Sequence, residues 1–217
     1  ANGASGNTLS EMTDVLGFSG YSLEEMNNYN KKLVEALLDL DNTTQLGIAN
    51  SIWIKKGFGV HDDFVSVNKK MYDAQVQELD FASPKAPDII NGWCAGKTNN
   101  CIPKVLNEIP ETARLYLLNA LYFKGIWKNQ FKKSDTAEEA FTNADGSKST
   151  VHMMNLRDER FNYAENEYFS MAELPYGNEA FSMVVLLPAE GKSLDECLPQ
   201  RTAPASRRPS GLRKTIN

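Results

Sequence analysis

Residues 115–127, which read LYLLNALYFKGIW, contain the longest apolar run of the sequence. Between positions 115 and 123 nearly every side chain is aliphatic or aromatic, which is typical of a strand buried on both faces of a sheet. Asn119 interrupts the run. A buried amide at this position needs hydrogen-bond partners, because an unpaired one destabilises the fold. The stretch therefore predicts an inner strand with one polar position at its centre.

Upstream of this strand, helical and strand patterns alternate. Apolar residues at helical spacing predict four helices: residues 8–17, residues 22–40, residues 62–72, and one opened by Ser83 and Pro84. Thr8 and Ser22 are each followed three residues later by glutamate, the spacing of a capping box. Strands are expected at residues 46–55 and 76–81.

Downstream of residue 114 the sequence favours strands. Asp145-Gly146 predicts a hairpin turn between apolar segments. Three closely spaced strands are expected around residues 161–163, 169–174 and 181–187, and Ser193 starts a short last helix. Helices and strands together define a mixed α+β fold class.

Charge separates residues 1–200 from residues 201–217. The chain has a net charge of −5, but its last 17 residues carry five basic side chains and no acidic one. The acidic remainder is unsuited to nucleic acid, because phosphate contacts need clustered lysine and arginine. No apolar run approaches the roughly 18–20 residues of a membrane helix. We therefore expect neither a nucleic-acid nor a membrane partner.

Residues 201–217, RTAPASRRPSGLRKTIN, have no aromatic residue and no periodicity. We interpret residues 1–200 as the folded domain and residues 201–217 as a disordered or out-of-frame tail, since such a segment buries too little apolar area to offset its ordering entropy. A basic tail for an acidic partner is the alternative.

Residues that could support catalysis are few. His61 and His152 are the two histidines, and they are interpreted as a solvated loop residue and a half-buried strand residue, with no nucleophile motif beside them. Cys94 and Cys101 are interpreted as structural thiols, although a disulfide between them stays open if the intervening helix ends early. The sequence predicts no catalytic residue, no metal site and no cofactor, and hence no enzyme.

The segment 119–127, NALYFKGIW, followed by Phe131, resembles the serpin signature N-A-[IL]-Y-F-K-G-x-W. In that family the signature forms strand 3 of the large sheet A and the turn beyond it. Further segments resemble serpin elements in the family's order: residues 3–12 (helix D), 48–57 (strand 2A), 90–102 (helix F), 151–154 (strand 3C), 161–164 (strand 1B), 173–176 (strand 2B), 182–188 (strand 3B) and 193–195 (helix G).

The resemblance implies a partial serpin, with helices D to G and parts of sheets A, B and C. Serpins offer a reactive-centre loop to a serine protease, and occasionally to a cysteine protease, and the cleaved loop then inserts into sheet A. Asn119 matches the family's shutter asparagine, and Trp127 matches its breach tryptophan. No segment here resembles the reactive-centre loop or strand 5A, so no reactive-centre residue is named.

We therefore expect a member of the protease-inhibitor family that does not inhibit as this chain. The alternative is a non-inhibitory binding module that uses exposed sheet edges. The resemblance implies an extracellular or secreted protein, with a cytoplasmic one as the alternative. Activation by glycosaminoglycan is not expected, because residues 8–17 contain no basic side chain.

One edge of the strand at residues 115–123 is expected to lack its partner and to promote self-association. On the expectation that both faces are buried, a proline at Leu117 damages the fold, and Leu118→Lys is the gentler probe of this edge.

Overall fold

The computed structural model describes residues 1–143, 145–156 and 159–199, together with the backbone of residues 206–207. The chain divides into two compact units, Ala1–Lys124 and Gly125–Asn217. Both units combine helices with strands, which confirms the mixed α+β class.

The first unit contains four helices and three strands. In chain order they are α1 (Gly6–Val15), α2 (Leu23–Leu38), β1 (Gln45–Lys55), α3 (Asp62–Tyr72), β2 (Gln75–Leu79), α4 (Ala86–Lys97) and β3 (Leu115–Lys124). The strands form one sheet in the order β2-β1-β3. β1 is parallel to β2 and antiparallel to β3. The connection from β1 to β2 carries α3, because parallel strands need a crossover.

The core of the first unit lies on both faces of β1, since successive strand residues point to opposite faces. On one face Trp53 packs with Phe81 of the loop after β2 and with Ile90 of α4. On the other face Ile52 and Ile54 pack in a second cluster with Ala74. β1 is therefore the buried central strand of this sheet.

The helix starts follow the predictions in part. Ser22 forms the predicted capping box with Glu25 at the start of α2. The prediction for Thr8 is wrong, because α1 begins at Gly6 with Ser5 as its N-cap. α4 begins at Ala86 rather than at Pro84, because a turn closed by a hydrogen bond from Ala86 N–H to the Ser83 carbonyl precedes it.

The described residues of the second unit form a 3₁₀ turn, six strands and a short helix. In chain order they are the 3₁₀ turn Lys133–Asp135, β4 (Thr136–Thr142), β5 (Lys148–Met154), β6 (Asn162–Glu165), β7 (Phe169–Pro175), β8 (Ser182–Pro188), α5 (Leu194–Cys197) and β9 (Ser206–Arg207). β4 and β5 form a two-stranded sheet, and the others pair in the order β8-β7-β6-β9.

The predicted hairpin and the predicted last helix are both present in this unit. Gly146, with φ of 81°, lies in the turn between β4 and β5, and the Asp145 carboxylate accepts hydrogen bonds from the Ser147 amide and hydroxyl. These bonds lower the pKa of Asp145. Ser193 and Glu196 form a capping box at the start of α5.

The predicted disordered tail, residues 201–217, lies outside the described residues except for the backbone of β9. That backbone pairs with β6 at Ala164 and Glu165.

Candidate functional site: the open edge of a three-stranded sheet

The outer edge of β3 is the most distinctive feature of the first unit. β3 pairs with β1 on one side, and no strand pairs with its other side among the residues that the structure describes. The Lys55 amide donates to the Arg114 carbonyl at 3.0 Å. Because hydrogen-bonded pairs alternate along an antiparallel ladder, Leu118 bonds to β1, whereas Leu117 and Asn119 direct their backbone N–H and C=O groups outward.

The two faces of β3 differ in burial. Tyr116 and Leu118 pack against the cluster around Trp53. On the opposite face Leu117 is 63% exposed and Leu121 is 58% exposed. The prediction that this strand is buried on both faces is therefore wrong in the structure, because α4 covers only one of them.

This asymmetry also reverses the expected order of the two probes. Leu118 is half-buried and packs against the Trp53 cluster, so Leu118→Lys brings a charge into apolar packing. Leu117 lies on the exposed face, and its amide is directed away from β1. A proline is tolerated at an edge position whose N–H faces solvent. Leu117→Pro is therefore the gentler probe of the edge.

Asn119, at the centre of β3, has an exposed side chain rather than the buried amide that was expected. Its Nδ2 donates to the Asn50 side-chain oxygen at 2.9 Å and to the Ala49 carbonyl at 3.4 Å. Both partners lie on β1, so the Asn119 side chain is held across the β1–β3 pair beside the open edge.

A chain of hydrogen bonds continues from Asn119 into the helices. Asn50 Nδ2 donates to the Tyr72 carbonyl at 2.8 Å, and the Tyr72 hydroxyl donates to Asn27 Oδ1 at 2.7 Å. Asn27 and Asn2 exchange two side-chain bonds of 3.0 Å each. Burial raises the pKa of the Tyr72 phenol. The open edge is thus linked through β1 and α3 to α2 and to the N-terminal loop.

Trp127 lies in the second unit, so it is described apart from Asn119 of the first. Its ring stacks on Tyr176 with centroids 4.3 Å apart and meets Phe131 edge-on. The backbones of Trp127 and Tyr176 form an antiparallel bridge. Burial raises the pKa of the Tyr176 phenol. Trp127 is thereby held at the point where β7 ends.

Groups that could support enzyme chemistry are dispersed. His61 is the N-cap residue of α3 and makes no side-chain capping bond, and His152 lies on β5, where it is exposed rather than half-buried. Cys94 and Cys197 are buried free thiols and Cys101 is an exposed one. The helix that contains Cys94, α4, ends at Lys97, before Cys101, and no disulfide joins the two cysteines. Within the described part of the chain, no three histidine, cysteine or acidic side chains cluster as metal ligands.

The fold and this sheet define the class of protein. The family model described as Serpin (serine protease inhibitor) matches residues 1–214. The chain belongs to the serpin family, as the signature at residues 119–127 predicted. Members of this family are protease inhibitors by description.

Individual relatives agree with this assignment. Iripin-3 of Ixodes ricinus is 33% identical to the chain over 99% of its length, and the match covers 54% of Iripin-3. Glia-derived nexin of Rattus norvegicus is 30% identical over 88% of the chain and 49% of the nexin. The chain thus spans about half the length of the curated relatives it matches.

Solved structures confirm the partial serpin fold. The native-state crystal structure of Tengpin, a thermophilic serpin, matches 92% of this chain and 50% of its own with a TM-score of 0.82 and 32% identity. Its latent-state structure matches 99% of this chain and 59% of its own with a TM-score of 0.85 and 30% identity. No helix among the described residues is long and apolar enough to cross a membrane.

Sequence reasoning missed the polar partners of Asn119 and a second edge, at β8, which has no partner strand among the described residues. Asn50 and Tyr72 are separated from each other by 22 residues, and no local pattern connects them. The sequence did contain a signal for β8, because residues 182–187, SMVVLL, form an apolar run without any charge.

Proposed function

We propose that residues 1–217 supply the strand-accepting part of a serpin-type protease inhibitor. The observation that carries this proposal is the outer edge of β3, where Leu117, Asn119 and Leu121 in succession direct backbone groups away from β1. An extended peptide added to such an edge gains main-chain hydrogen bonds, and alternate side chains give it specificity.

Asn119 and Trp127 take the shutter and breach roles in this proposal. The bond from Asn119 to Asn50 supports the first role, because it ties the β1–β3 pair together beside the edge that accepts a strand. The stack of Trp127 on Tyr176 supports the second, because it rigidifies the segment that follows β3.

The protein partner proposed for the family activity is a serine protease, with a cysteine protease as the less favoured choice. For the 217-residue chain itself we expect no inhibition, because none of its segments resembles a reactive-centre loop. The chain is mixed with trypsin, chymotrypsin or elastase and run on a denaturing gel. We expect no band at the summed mass, and such a band would overturn the expectation.

Strand acceptance is tested with a fluorescent peptide of alternating small and apolar residues, followed by anisotropy. Leu117→Pro removes one outward N–H while leaving the β1 ladder intact, and Leu117→Ala is the matched control. We expect Leu117→Pro to weaken binding about tenfold, the loss of roughly 1.4 kcal/mol. Equal affinities for the two variants would refute the assignment of the binding site to this edge.

The second candidate is a non-inhibitory binding module that uses the same edge. The exposed Leu117 and Leu121 favour it, because they offer an apolar face beside the edge. A non-inhibitory module binds peptides or partner proteins and is not itself cleaved. A chain that acts as the substrate of a protease is cleaved while it is bound to that protease. Mass spectrometry after incubation with a protease distinguishes the two.

A strand from a second copy of the chain is also a proposed occupant of the β3 edge. Symmetric antiparallel pairing centred on Asn119 would place Lys124 opposite Arg114 of the second copy, and like charges directly opposite each other are destabilising. We therefore rank a foreign strand above a second copy at this edge.

An extracellular location is proposed from the family, with a cytoplasmic one as the alternative. Asn42 begins the sequence Asn42-Thr43-Thr44, which is an N-glycosylation acceptor, and it is exposed in the turn before β1. A glycan on Asn42 of the protein isolated from its source would support secretion. An unmodified Asn42 together with recovery from the cytosolic fraction would favour the alternative.

A further inference from the structure

β8 is exposed to a degree that is unusual for so apolar a strand. Val184 is 56% exposed and Leu187 is 67% exposed, and the two residues lie on opposite faces of the strand. Met183 and Val185 are exposed as well. Isolated exposed apolar residues are ordinary, whereas a contiguous run of them marks an interaction surface.

The outer edge of β8 is open in the described structure, because β8 ends the order β8-β7-β6-β9. The Tyr176 amide donates to the Phe181 carbonyl, and the Ala189 amide donates to the Tyr168 carbonyl, each at 2.8 Å. Since hydrogen-bonded pairs alternate, Val185 bonds to β7 while Val184 and Leu186 direct their backbone groups outward.

We infer that β8 is a homodimerisation edge, on which the β8 strand of a second copy of this chain pairs antiparallel across a two-fold axis. This inference concerns a different sheet from the proposed function and goes beyond it. A two-fold interface uses the same patch on both subunits, so the patch must complement itself.

The β8 sequence meets that requirement in register and in side-chain chemistry. Pairing centred on Val185 sets Val184 opposite Leu186 of the other copy and Met183 opposite Leu187. About four new backbone hydrogen bonds form, and each outward N–H and C=O of the two paired residues receives a partner. All of these cross-strand side-chain pairs are apolar.

Charge favours a second copy over a charged partner strand. Residues 182–188 contain no ionisable side chain, and their one proline, Pro188, is at the end of the strand. In the register centred on Val185, the nearest flanking charge, Glu190, falls opposite Ala180 of the other copy. No like charges oppose each other in this register, in contrast to symmetric pairing at β3. Proteins usually protect an edge with charges or proline within the strand, whereas β8 has no charge and its one proline is its last residue, Pro188, outside the pairs around Val185.

The test is sedimentation velocity of the full 217-residue chain over a concentration series. Val184→Pro removes an outward N–H that β7 does not use, and Val184→Thr is the matched control because it keeps both the N–H and the β-branched shape. We expect a dimer, a dissociation constant at least about tenfold weaker for Val184→Pro, and one within about twofold for Val184→Thr.

A second measurement keeps the inference testable if Val184→Pro does not fold. In a Cys101→Ser background, Val185→Cys lies at the two-fold axis opposite its own copy, within reach of a disulfide. We expect this variant to form a covalent dimer under mild oxidation, and Val184→Cys to form much less. A monomer at every concentration would overturn the inference, and so would a dimer lost in Leu117→Pro but retained in Val184→Pro.

Discussion

β3 and β8 are both apolar edge strands, yet their surroundings differ. β3 has one face packed on the Trp53 cluster and a central asparagine tied to β1. β8 has apolar residues exposed on both faces. Arg114 precedes β3 and Lys124 is its last residue, whereas β8 contains no charge.

The difference shows how similar apolar runs can serve different purposes. Flanking charges discourage a symmetric partner, so the β3 edge suits a foreign strand. The absence of charge makes the β8 edge complementary to itself. The packed face of β3 fixes the edge in place, while β8 depends on a partner for the burial of its side chains.

The buried cysteines provide the largest expected contrast, one in each unit. Cys94 is 4% exposed in the first unit, and Cys197 is fully buried in the second, where its thiol donates to the Tyr168 carbonyl. We expect a thiol reagent to label Cys101 at once and the buried pair about a hundredfold more slowly, because they react only on opening.

The order of labelling sharpens the comparison. Because β8 leaves the second unit less well covered, we expect Cys197 to react before Cys94 in dilute protein. Cys101→Ser removes the fast signal and serves as the control. Peptide mass spectrometry measures the two labelling rates. Equal rates for Cys94 and Cys197 would contradict the proposed difference in local stability between the two units.

The next largest effect concerns the two faces of β3. We expect Leu118→Lys to lower the free energy of unfolding by about 2–3 kcal/mol, because it removes apolar packing and brings a charge beside the Trp53 cluster. Leu117→Lys, on the exposed face, should change it by less than about 0.5 kcal/mol. Urea denaturation measures both, and equal losses would mean that the two faces are packed alike.

The sequence predicted the features of the fold that depend on local chemistry. Ser22 forms the capping box that its spacing to Glu25 predicted, and Ser193 starts the predicted last helix, although the same spacing from Thr8 to Glu11 forms no box. Asp145-Gly146 encodes its hairpin in the same way. The signature at residues 119–127 identified the family, since its residue types and their spacing are highly specific.

Burial and long-range contacts could not be read from the sequence in the same way. Leu117 and Leu118 are identical residue types, and only the position of α4 makes one exposed and the other packed. The partner of Asn119 is Asn50, 69 residues away. Such pairings are decided by sheet register, which the local pattern of the strand does not specify.

A smaller effect is expected from the polar chain behind β3. Asn27 is 4% exposed and accepts a hydrogen bond from the Tyr72 hydroxyl, so Asn27→Ala leaves that half-buried donor without this partner. We expect a loss of about 1–3 kcal/mol in the free energy of unfolding. Tyr72→Phe removes the hydroxyl donor itself, so that no unpaired donor remains. It should therefore cost less, about 1 kcal/mol. A larger loss for Tyr72→Phe would contradict this account.

Tyr72 also predicts an alkaline dependence of stability. Burial raises the pKa of its phenol above the unfolded value of 10.0. A raised folded pKa means that the stabilising contribution is complete below the unfolded pKa and is lost as pH rises through the folded pKa. Thermal unfolding above about pH 10 should therefore be less pH-dependent in Tyr72→Phe than in the unchanged chain.

The smallest effect compares the two capping boxes. Hydrogen bonds from Ser22 lower the pKa of Glu25, and hydrogen bonds from Ser193, helped by Lys192, lower that of Glu196. A lowered folded pKa stabilises the protein above the unfolded value of 4.5, and this contribution is lost as pH falls through the folded pKa. Both helices should therefore weaken in mild acid.

The two helices should respond unequally to removal of the carboxylate. α2 has 16 residues, with Met26 and Asn27 buried, whereas α5 has only 4 residues and depends more on its cap. At neutral pH we expect Glu196→Gln to speed the labelling of Cys197. In the unchanged chain the labelling of Cys197 should accelerate below about pH 5, and Glu196→Gln should remove this acceleration. Glu25→Gln should leave the labelling of Cys94 nearly unchanged. The opposite result would be faster labelling of Cys94 in Glu25→Gln together with unchanged labelling of Cys197 in Glu196→Gln. It would show that the capping carboxylate matters more to the longer helix, and it would reverse the expected order of the two units in their dependence on the cap.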